Sequence, residues 1–397
     1  MRVALLCPYS LSRPGGVQGQ VLGLARALTN AGHDAVVLAP CDGDVDVAGL
    51  APGAVIGLGR SVALPANGSV APVALSPGAA WRAVRAVRRG NFDVLHLHEP
   101  LAPGPGYACL VACDLPKVGT FHRAGPSIAY RVLGPVARAA AGRLAARCAV
   151  SSEAEATARS ALGGTYDIIG NGIDLERFAS ARPWPTAGPT VMFVGRHEER
   201  KGLAVLLEAV SQLETGSTTP GARLPDTGSP SPNVAHAKGE SPGPTVWVAG
   251  EGPETERLRR RHPPSTRLVW LGRLRDDELA SRLAGAHALC APSRRGESFG
   301  VILLEAMAAR AAVVASDLPG YAAVVAGHGV LVAPGDVTAL ARALQSVSAD
   351  AATGTGRCAP DALDAAFAHA SQWAMPEVAA RYVSVYERVV TGTRPAP

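Results

Sequence analysis

The sequence lacks the features of several protein classes. No uninterrupted apolar run reaches the roughly 18 residues that a membrane-spanning helix needs, and the opening MRVALLCPYS is too short in apolar residues for a signal peptide. The seven cysteines are odd in number and contain no Cys-x-x-Cys pair, which argues against a disulfide framework or a zinc site and favours a reducing cytoplasm. The net charge is only +5, which is too small to indicate a nucleic-acid partner but suits anionic small molecules or a membrane surface.

Short apolar segments alternate with amphipathic helices along most of the chain, and this alternation predicts the fold. Wholly apolar strands between helices indicate parallel sheets covered on both faces, which is an α/β fold of two doubly wound, Rossmann-like units. Ligands of such sheets bind at the carboxyl ends of the strands. Strands are predicted at 2–7, 35–39, 93–97, 116–121, 190–194, 246–249, 268–271, 288–291 and 312–315.

The same pattern predicts the domain organisation. We expect a first domain over residues 1–180, a second over 181–375 and a C-terminal helix with a tail over 376–397. Residues 215–244 are rich in Pro, Gly, Ser and Thr and have few apolar residues to bury. They are predicted to be a disordered surface insertion in the second domain.

The most informative motif is ESFGVILLE, which runs from Glu297 to Glu305. It begins in a glycine-containing loop after a strand, and a helix is predicted to begin near Phe299. The free N–H groups and the dipole at a helix start attract a phosphate, and the two glutamates can accept hydrogen bonds from sugar hydroxyls. Two glutamates at this spacing are usually a solvated face, but the strongly apolar helix that separates them disfavours that interpretation.

A second motif, GRHEERKG, directly follows a predicted strand. Arg196 and Lys201 lie five residues apart at its carboxyl end, where a bidentate guanidinium and a point-charge ammonium suit a diphosphate. The alternative is an exposed loop in which Arg200 pairs with a neighbouring glutamate.

Four further features carry weaker signals. Gly16 lies in a Gly-Gly turn that permits close backbone approach to a ligand, but the turn is not the Gly-x-Gly-x-x-Gly of a dinucleotide site. His122 ends a predicted strand, where a structural and a functional role are equally plausible. His96 and His98 alternate along another strand, yet no third ligand is placed by the sequence, so no metal site is predicted. The Asp44-Val45-Asp46 segment is interpreted as a coincidental resemblance to a metal-binding motif.

Taken together, ESFGVILLE, GRHEERKG, PYSLSRPGGVQ and GTFH resemble the retaining glycosyltransferases of family 4, which have the GT-B fold. Within that family the nearest subgroup is the actinobacterial phosphatidylinositol mannosyltransferases. The likeness also covers NGSV, FDVLHLHEP, NGID and EAMAARAAVVASDL, and it excludes 215–244. It implies two Rossmann-like domains that face each other across a cleft, a hexosyltransferase activity and a nucleotide-sugar donor, with GDP-mannose expected.

The resemblance also implies roles for individual residues. Arg196 and Lys201 would hold the donor diphosphate, and His122 would line the reaction centre and join Glu297, Arg196 and Lys201 in catalysis. No metal or other cofactor is required, although a divalent cation can stimulate such enzymes. The remaining donor-binding residues would be Gly16, Gly250, Leu271, Glu297, Phe299, Gly300 and Glu305.

On the acceptor side, the resemblance implies a phosphatidylinositol-type lipid. Its contacts would be Tyr9, Gln18, Asn67 and Arg123. The chain departs from the subgroup pattern at Ala66, at Ala71-Pro72-Val73 and at Arg123. Another nucleotide sugar, or a soluble inositol or glycan acceptor, therefore stays open as an alternative.

The segment WRAVRAVRR predicts a basic helix suited to anionic headgroups. Its arginines are Arg82, Arg85, Arg88 and Arg89, and no acidic residue occurs between Asp46 and Asp93. The resembled family uses a basic helix here for membrane association, so we expect a peripheral protein on the inner face of the plasma membrane.

Two other function classes remain as alternatives. A sugar-nucleotide epimerase shares the two-domain architecture but requires paired acid and base residues in its cleft. A membrane-associated binding module without activity would not need the full set of phosphate and sugar residues.

Overall fold

The computed structural model describes residues 1–13, 15–43, 47, 49–66, 69–125, 134–214 and 243–392, and the structural statements below concern those residues. Asn67, Pro14, the Asp44–Asp46 segment and residues 215–242 of the predicted insertion lie outside them.

A seven-stranded parallel sheet organises the first half of the chain. Its strands lie in the order β3-β2-β1-β6-β7-β8-β9, and β4 and β5 form a separate antiparallel hairpin. The elements are β1 Arg2–Leu6, α1 Gly16–Asn30, β2 Asp34–Ala39, β3 Val55–Gly57, β4 Val62–Ala66, β5 Ser69–Val73, α2 Pro77–Arg89, β6 Val94–His98, α3 Pro105–Ala112, β7 Lys117–Phe121, α4 Gly134–Ala141, β8 Ala146–Ala149, α5 Ser152–Leu162, β9 Asp167–Ile168 and α6 Leu175–Ala179.

A six-stranded parallel sheet organises the second half, in the order β12-β11-β10-β13-β14-β15. Its elements are β10 Thr190–Val194, a 3₁₀ turn Glu199–Lys201, α7 Leu203–Glu214, β11 Thr245–Ala249, α8 Thr255–Arg261, β12 Leu268–Gly272, α9 Asp276–Gly285, β13 Ala288–Ala291, α10 Val301–Ala308, β14 Ala312–Ser316, α11 Pro319–Val325, β15 Val330–Val332, α12 Val337–Thr353, a 3₁₀ turn Gly356–Cys358, α13 Pro360–Ser371 and α14 Met375–Thr391.

Both sheets are covered on two faces because side chains alternate along their strands. In β1, Val3 and Leu5 pack with α1 and α14, whereas Ala4 and Leu6 pack toward α2 and α3. The predicted strands and the α/β class are therefore confirmed. The β4–β5 hairpin and the helices between residues 134 and 179 were not predicted.

Strand order reverses once in each sheet, and these reversals position the candidate site. In the first sheet the reversal lies between β1 and β6, and in the second it lies between β10 and β13. At such a switch point the loops after the two strands diverge and leave a crevice for a ligand. The crevices are thus bordered by the loops after β1 and β6 and by the loops after β10 and β13.

The chain passes between the two sheets twice, and the two passages lie side by side. Ile173 donates its N–H to the carbonyl of Trp373 at 2.9 Å, and Met375 donates to the carbonyl of Ile173 at 2.9 Å. Beyond this point α14 packs against α1 and the first sheet, with Tyr382 and Tyr386 buried.

The predicted division at residue 180 lies later than this passage. Phe178 of α6 is buried in the core of the second unit, so α6 packs with that unit although it was assigned to the first.

No helix in the described part of the chain combines the length and apolarity that crossing a bilayer requires.

Candidate active site

The carboxylate of Glu297 is the centre of the crevice between β10 and β13. Its Oε1 lies 2.8 Å from Lys201 Nζ and 3.1 Å from a terminal guanidinium nitrogen of Arg200. Ser293 donates its hydroxyl to the same oxygen at 3.2 Å, and Tyr321 shares a 3.0 Å hydrogen bond with Ser293. Two motifs that are almost a hundred residues apart in sequence therefore meet at one oxygen atom.

Backbone contacts hold the two loops together at this point. Gly202 has φ +72°, and a Cβ there would lie 1.8 Å from the carbonyl oxygen of Pro292, so only glycine fits. Arg294 donates its N–H to the carbonyl of Arg200 at 2.7 Å. Lys201 lies in a 3₁₀ turn, and the left-handed Gly202 separates it from the start of α7.

The helix predicted near Phe299 begins two residues later, at Val301. Gly300 has φ +100° and ψ 51°, which is incompatible with a right-handed helix, so α10 begins after it. No side chain caps this helix start. The Phe299 ring is buried against Trp373 and can offer a ligand only its backbone.

Positive charge exceeds negative charge around Glu297. Arg196 and Arg200 flank the buried Glu198 at 3.1 and 3.0 Å, and Arg294 and Arg295 pair with Glu199 at 2.7 and 3.3 Å. With Lys201, five cations face three carboxylates, which leaves a formal excess of +2. The predicted pairing of Arg200 with a neighbouring glutamate exists and forms part of this network.

The ends of β10, β11 and β12 converge beside the same crevice. Gly250 has φ +114°, and a Cβ there would lie 1.9 Å from the carbonyl oxygen of Gly195, the residue before Arg196. Gly250 also donates its N–H to the carbonyl oxygen of Gly272 at 2.7 Å, and Gly272 follows the partly buried Leu271. The structure thus brings the predicted residues Gly250 and Leu271 to the edge that carries Arg196 and Lys201.

Glu305 projects from α10 among charges of both signs. Burial raises its pKa from 4.5 to about 7, Arg177 opposes this shift, and Asp276 and Asp174 add to it. Within the described residues no side chain hydrogen-bonds its carboxylate. The ionised form of Glu305 is consequently stabilised only by the charge of Arg177 and by no hydrogen bond from a described side chain.

Two buried histidines, His96 and His98, and the partly buried His122 lie at the carboxyl end of the first sheet. His98 Nδ1 is 2.9 Å from His122 Nε2, and His96 is bonded to Tyr386 at 2.8 Å and to Thr120 at 2.7 Å. Burial lowers the pKa of His122 to about 4 and that of His96 to about 3, so these rings are neutral. No group of three metal-binding side chains occurs among the residues that the structure describes.

The predicted acceptor-side residues differ in where they lie relative to these histidines. Tyr9 pairs with Val73 of the β4–β5 hairpin in an isolated antiparallel β-bridge. Both Tyr9 and Arg123 lie within electrostatic range of Glu99. Gln18 is buried, and its amide donates to the carbonyls of Ser10 and Arg13, so it fixes the loop before α1, while its contact with an acceptor stays a prediction. Asn67 lies outside the described residues.

Gly16 is the first residue of α1 and borders the crevice of the first sheet. Apart from its chain neighbours and its own helix backbone, a Cβ at this position would meet no atom of the described residues within 4 Å, whereas a Cβ on Gly15 would lie 2.4 Å from Gln18 Oε1. The space beside Gly16 is therefore open, as close approach of a ligand requires.

All four arginines of the basic helix α2 are exposed, and two of them also bind backbone carbonyls of the protein. Arg82 donates to the carbonyl of Leu58 at 2.9 and 2.6 Å, and Arg88 donates to that of Ala112 at 2.6 Å, so both guanidinium groups bind the protein itself. Arg85 lies over the ring of Trp81, which is 60% exposed, and Arg89 is also exposed.

Several residues around Glu297 were not predicted from the sequence as site residues. Glu198 and Arg200 lie inside the GRHEERKG motif, so the motif itself was a signal for them. Ser293 and Tyr321 have no signal in the sequence, because only the folded chain brings them to Glu297.

Comparison with known proteins covers both halves of the chain. Residues 14–177 match the family described as Glycosyltransferase Family 4, and residues 188–350 match Glycosyl transferases group 1. A Mycolicibacterium smegmatis protein named phosphatidyl-myo-inositol mannosyltransferase is 36% identical over 396 residues, which are 98% of this chain and 94% of the relative. A protein of the same name from Propionibacterium freudenreichii is 37% identical over 81% of this chain and 78% of its own length. The crystal structure of Anabaena Alr3699/HepE in complex with UDP has a TM-score of 0.69 at 19% identity and covers 98% of this chain and 100% of that one, a likeness in fold.

The raised pKa of Glu305 predicts a pH-dependent stability. The folded protein keeps a proton that the unfolded chain releases between pH 4.5 and about 7, so the free energy of unfolding falls as the pH rises through this window. Because a glutamine cannot ionise, Glu305→Gln should unfold with a free energy higher than that of the wild type by about 1–3 kcal/mol near pH 8, and the difference should vanish at acidic pH. Urea denaturation across this range measures it, with exposed Glu256→Gln as the control. Equal stability of Glu305→Gln and wild type near pH 8 would contradict the assignment.

Proposed function

Because the chain belongs to glycosyltransferase family 4 and has the GT-B fold, we propose that it is a retaining mannosyltransferase. It moves mannose from GDP-mannose to a phosphatidylinositol-type lipid at a membrane surface. The observation that carries this proposal is the Glu297 carboxylate with Lys201 and Arg200 at the switch point of the second sheet. The name of the M. smegmatis relative supports the choice of sugar and acceptor.

The donor binds with its diphosphate at the excess of positive charge. Arg196 is half-exposed and Lys201 is 22% exposed, so both cations can turn from their carboxylate partners to phosphate oxygens. Glu297 then accepts hydrogen bonds from the sugar hydroxyls, and Glu305 accepts them from the ribose. A ribose hydroxyl would supply the ionised Glu305 with the hydrogen bond that the protein does not give it.

The reaction proceeds on one face of the sugar, so that the anomeric configuration is kept. The bond from the anomeric carbon to the diphosphate oxygen breaks, and a bond from that carbon to the acceptor oxygen forms. The acceptor's proton passes to the leaving diphosphate, which departs as GDP. Lys201 and Arg196 stabilise the charge that develops on the leaving group, and no metal ion is needed for this.

The acceptor binds to the first domain, beside His122. Tyr9 and the β4–β5 hairpin form one side of this region, and the Ser10 N–H donates to the carbonyl of Pro72 at 2.8 Å, which fixes the hairpin. Arg123 supplies a positive charge for the lipid phosphate. The lipid tails remain in the membrane, and the protein is held at its cytoplasmic face by α2.

A screen of donors and acceptors tests the proposal directly. Purified protein is incubated with GDP- or UDP-sugars and either phosphatidylinositol vesicles or free myo-inositol, and release of the nucleoside diphosphate is measured. We expect the fastest release with GDP-mannose and phosphatidylinositol, and the release should persist in the presence of a chelator. Turnover only with another nucleotide sugar, or only with the soluble acceptor, would replace this proposal by the corresponding alternative.

Lys201→Ala tests the diphosphate site. Because charge develops on the leaving group, we expect kcat/KM for the donor to fall by about 100-fold. Arg294→Ala is the matched control, since it removes a cation of the same network that pairs with Glu199. Activity of Lys201→Ala within about threefold of wild type would refute the assignment, as would an equal loss in the control.

Vesicle binding tests the role of α2. We expect Arg85→Ser with Arg89→Ser to weaken binding to anionic vesicles by about 30-fold, because each cation near the surface contributes about 1 kcal/mol. Cosedimentation at two salt concentrations measures it, and high salt should weaken wild-type binding. The control is Arg259→Ser with Arg260→Ser, which removes two exposed arginines of α8. If both double variants bind equally, α2 is not the contact.

A further inference from the structure

The ring of His98 contacts the ring of His122, the histidine that is expected to line the reaction centre. We propose that His98 is a positioning residue: its Nδ1–H donates to His122 Nε2 and so fixes both the ring and the tautomer of His122. His122 then presents an Nδ1–H donor toward the acceptor. The identity of the molecule that His122 meets rests on the proposed function, whereas the tautomer does not.

Strand pairing brings the two rings together. His98 is the last residue of β6, and it stands opposite Thr120 of the neighbouring β7. His122 follows β7 by one residue, so both side chains lie at the carboxyl ends of adjacent strands. Their nitrogens are 2.9 Å apart, within hydrogen-bonding distance, and His98 is 2% exposed.

The next residue holds the backbone of His122. Glu99 Oε1 accepts the His122 N–H at 2.6 Å, and Glu99 itself donates its N–H to the carbonyl of Thr120 at 2.8 Å. Glu99 has φ +48°, a left-handed conformation that is uncommon outside glycine. Two consecutive residues therefore fix the ring and the main chain of His122, and the strained backbone between strand and loop is typical of a functional site.

The environment decides which nitrogen carries the proton. Burial lowers the pKa of both His98 and His122, so both rings are neutral and share one proton in their hydrogen bond. His98 Nε2 is buried and has no partner among the described residues. A buried N–H without an acceptor is rarer than a buried lone pair without a donor, so His98 keeps its proton on Nδ1. His122 consequently accepts at Nε2 and carries its own proton on Nδ1.

This tautomer gives His122 a defined chemical task. With Nε2 engaged, its remaining nitrogen is a hydrogen-bond donor and not a base. His122 therefore orients an acceptor oxygen and does not remove the proton, which agrees with a reaction in which the leaving diphosphate takes that proton. No proton passes through the His98–His122 pair in this scheme.

Nuclear magnetic resonance of the histidine nitrogens tests the tautomer without any substrate. Full-length protein is labelled with ¹⁵N at histidine, and the resonances of His122 are identified by their loss in His122→Asn. We expect a protonated Nδ1 and an unprotonated Nε2 in the wild type, and a shift toward the Nε2–H form in His98→Ala. A protonated Nε2 in the wild type overturns the proposal.

Kinetics of the same variants tests the consequence for transfer. We expect His98→Ala to lower kcat about 10–100-fold with little change in the donor KM, because a misplaced group loses orientation. His98→Asn keeps an amide N–H near the position of Nδ1 and should stay within about threefold of wild type.

The matched control is His96→Asn, which alters a buried histidine of the same strand that bonds to Thr120 and Tyr386. It should lose stability but keep kcat and the His122 tautomer. Wild-type kcat in His98→Ala, or equal losses in His96→Asn and His98→Ala, would overturn the positioning role. A wild-type protein without transferase activity would instead refute the proposed function and leave the tautomer measurement valid.

Discussion

The ionic contact between Glu297 and the Lys201–Arg200 pair is the interaction on which the candidate site depends. It joins the loops after β10 and β13 at the switch point of the second sheet, and it holds cations next to a carboxylate until a ligand competes for them. The contact is mostly buried, and the cost of removing its charges from water offsets much of their attraction, so it is weak evidence for stability by itself. Its importance lies in its position, because the tight fit of Gly202 against Pro292 and the hydrogen bond from the Arg294 N–H fix the same two loops and so hold these charges in a defined arrangement.

The polar groups in the core of the first domain are buried, so they must find hydrogen-bond partners among themselves. His96, Thr120, Tyr382 and Tyr386 satisfy one another beneath the crevice, with hydrogen bonds of 2.7 to 3.2 Å. Since the two tyrosines belong to α14, the helix that follows the second domain completes the polar core of the first. Burial keeps the histidines neutral, which makes them hydrogen-bond donors and acceptors of fixed direction and not acids or bases.

Stability and function are opposed at two residues. Glu305 is held where its ionised form is disfavoured, and Glu99 adopts a left-handed backbone conformation that most residues avoid. A protein selected only for stability would place neither there. Both lie at the carboxyl end of a sheet or on the helix behind it, where backbone strain and desolvated charge are typical of functional sites.

The sequence by itself determined the α/β class, most strands and the motifs of the candidate site, because buried parallel strands are continuous apolar runs and the motifs are local. Arg196, Lys201, Glu297 and Gly250 were therefore found from the chain alone, and the structure brings them to one edge. Tertiary structure decided what depends on distant partners. It turned Gln18 into a loop support and bound Arg82 and Arg88 to backbone carbonyls, and it joined α6 to the second core. It also placed Ser293 and Tyr321 at Glu297 and His98 at His122. Hydrogen bonds between strands and loops that are far apart along the chain produce no periodic pattern in the amino-acid sequence.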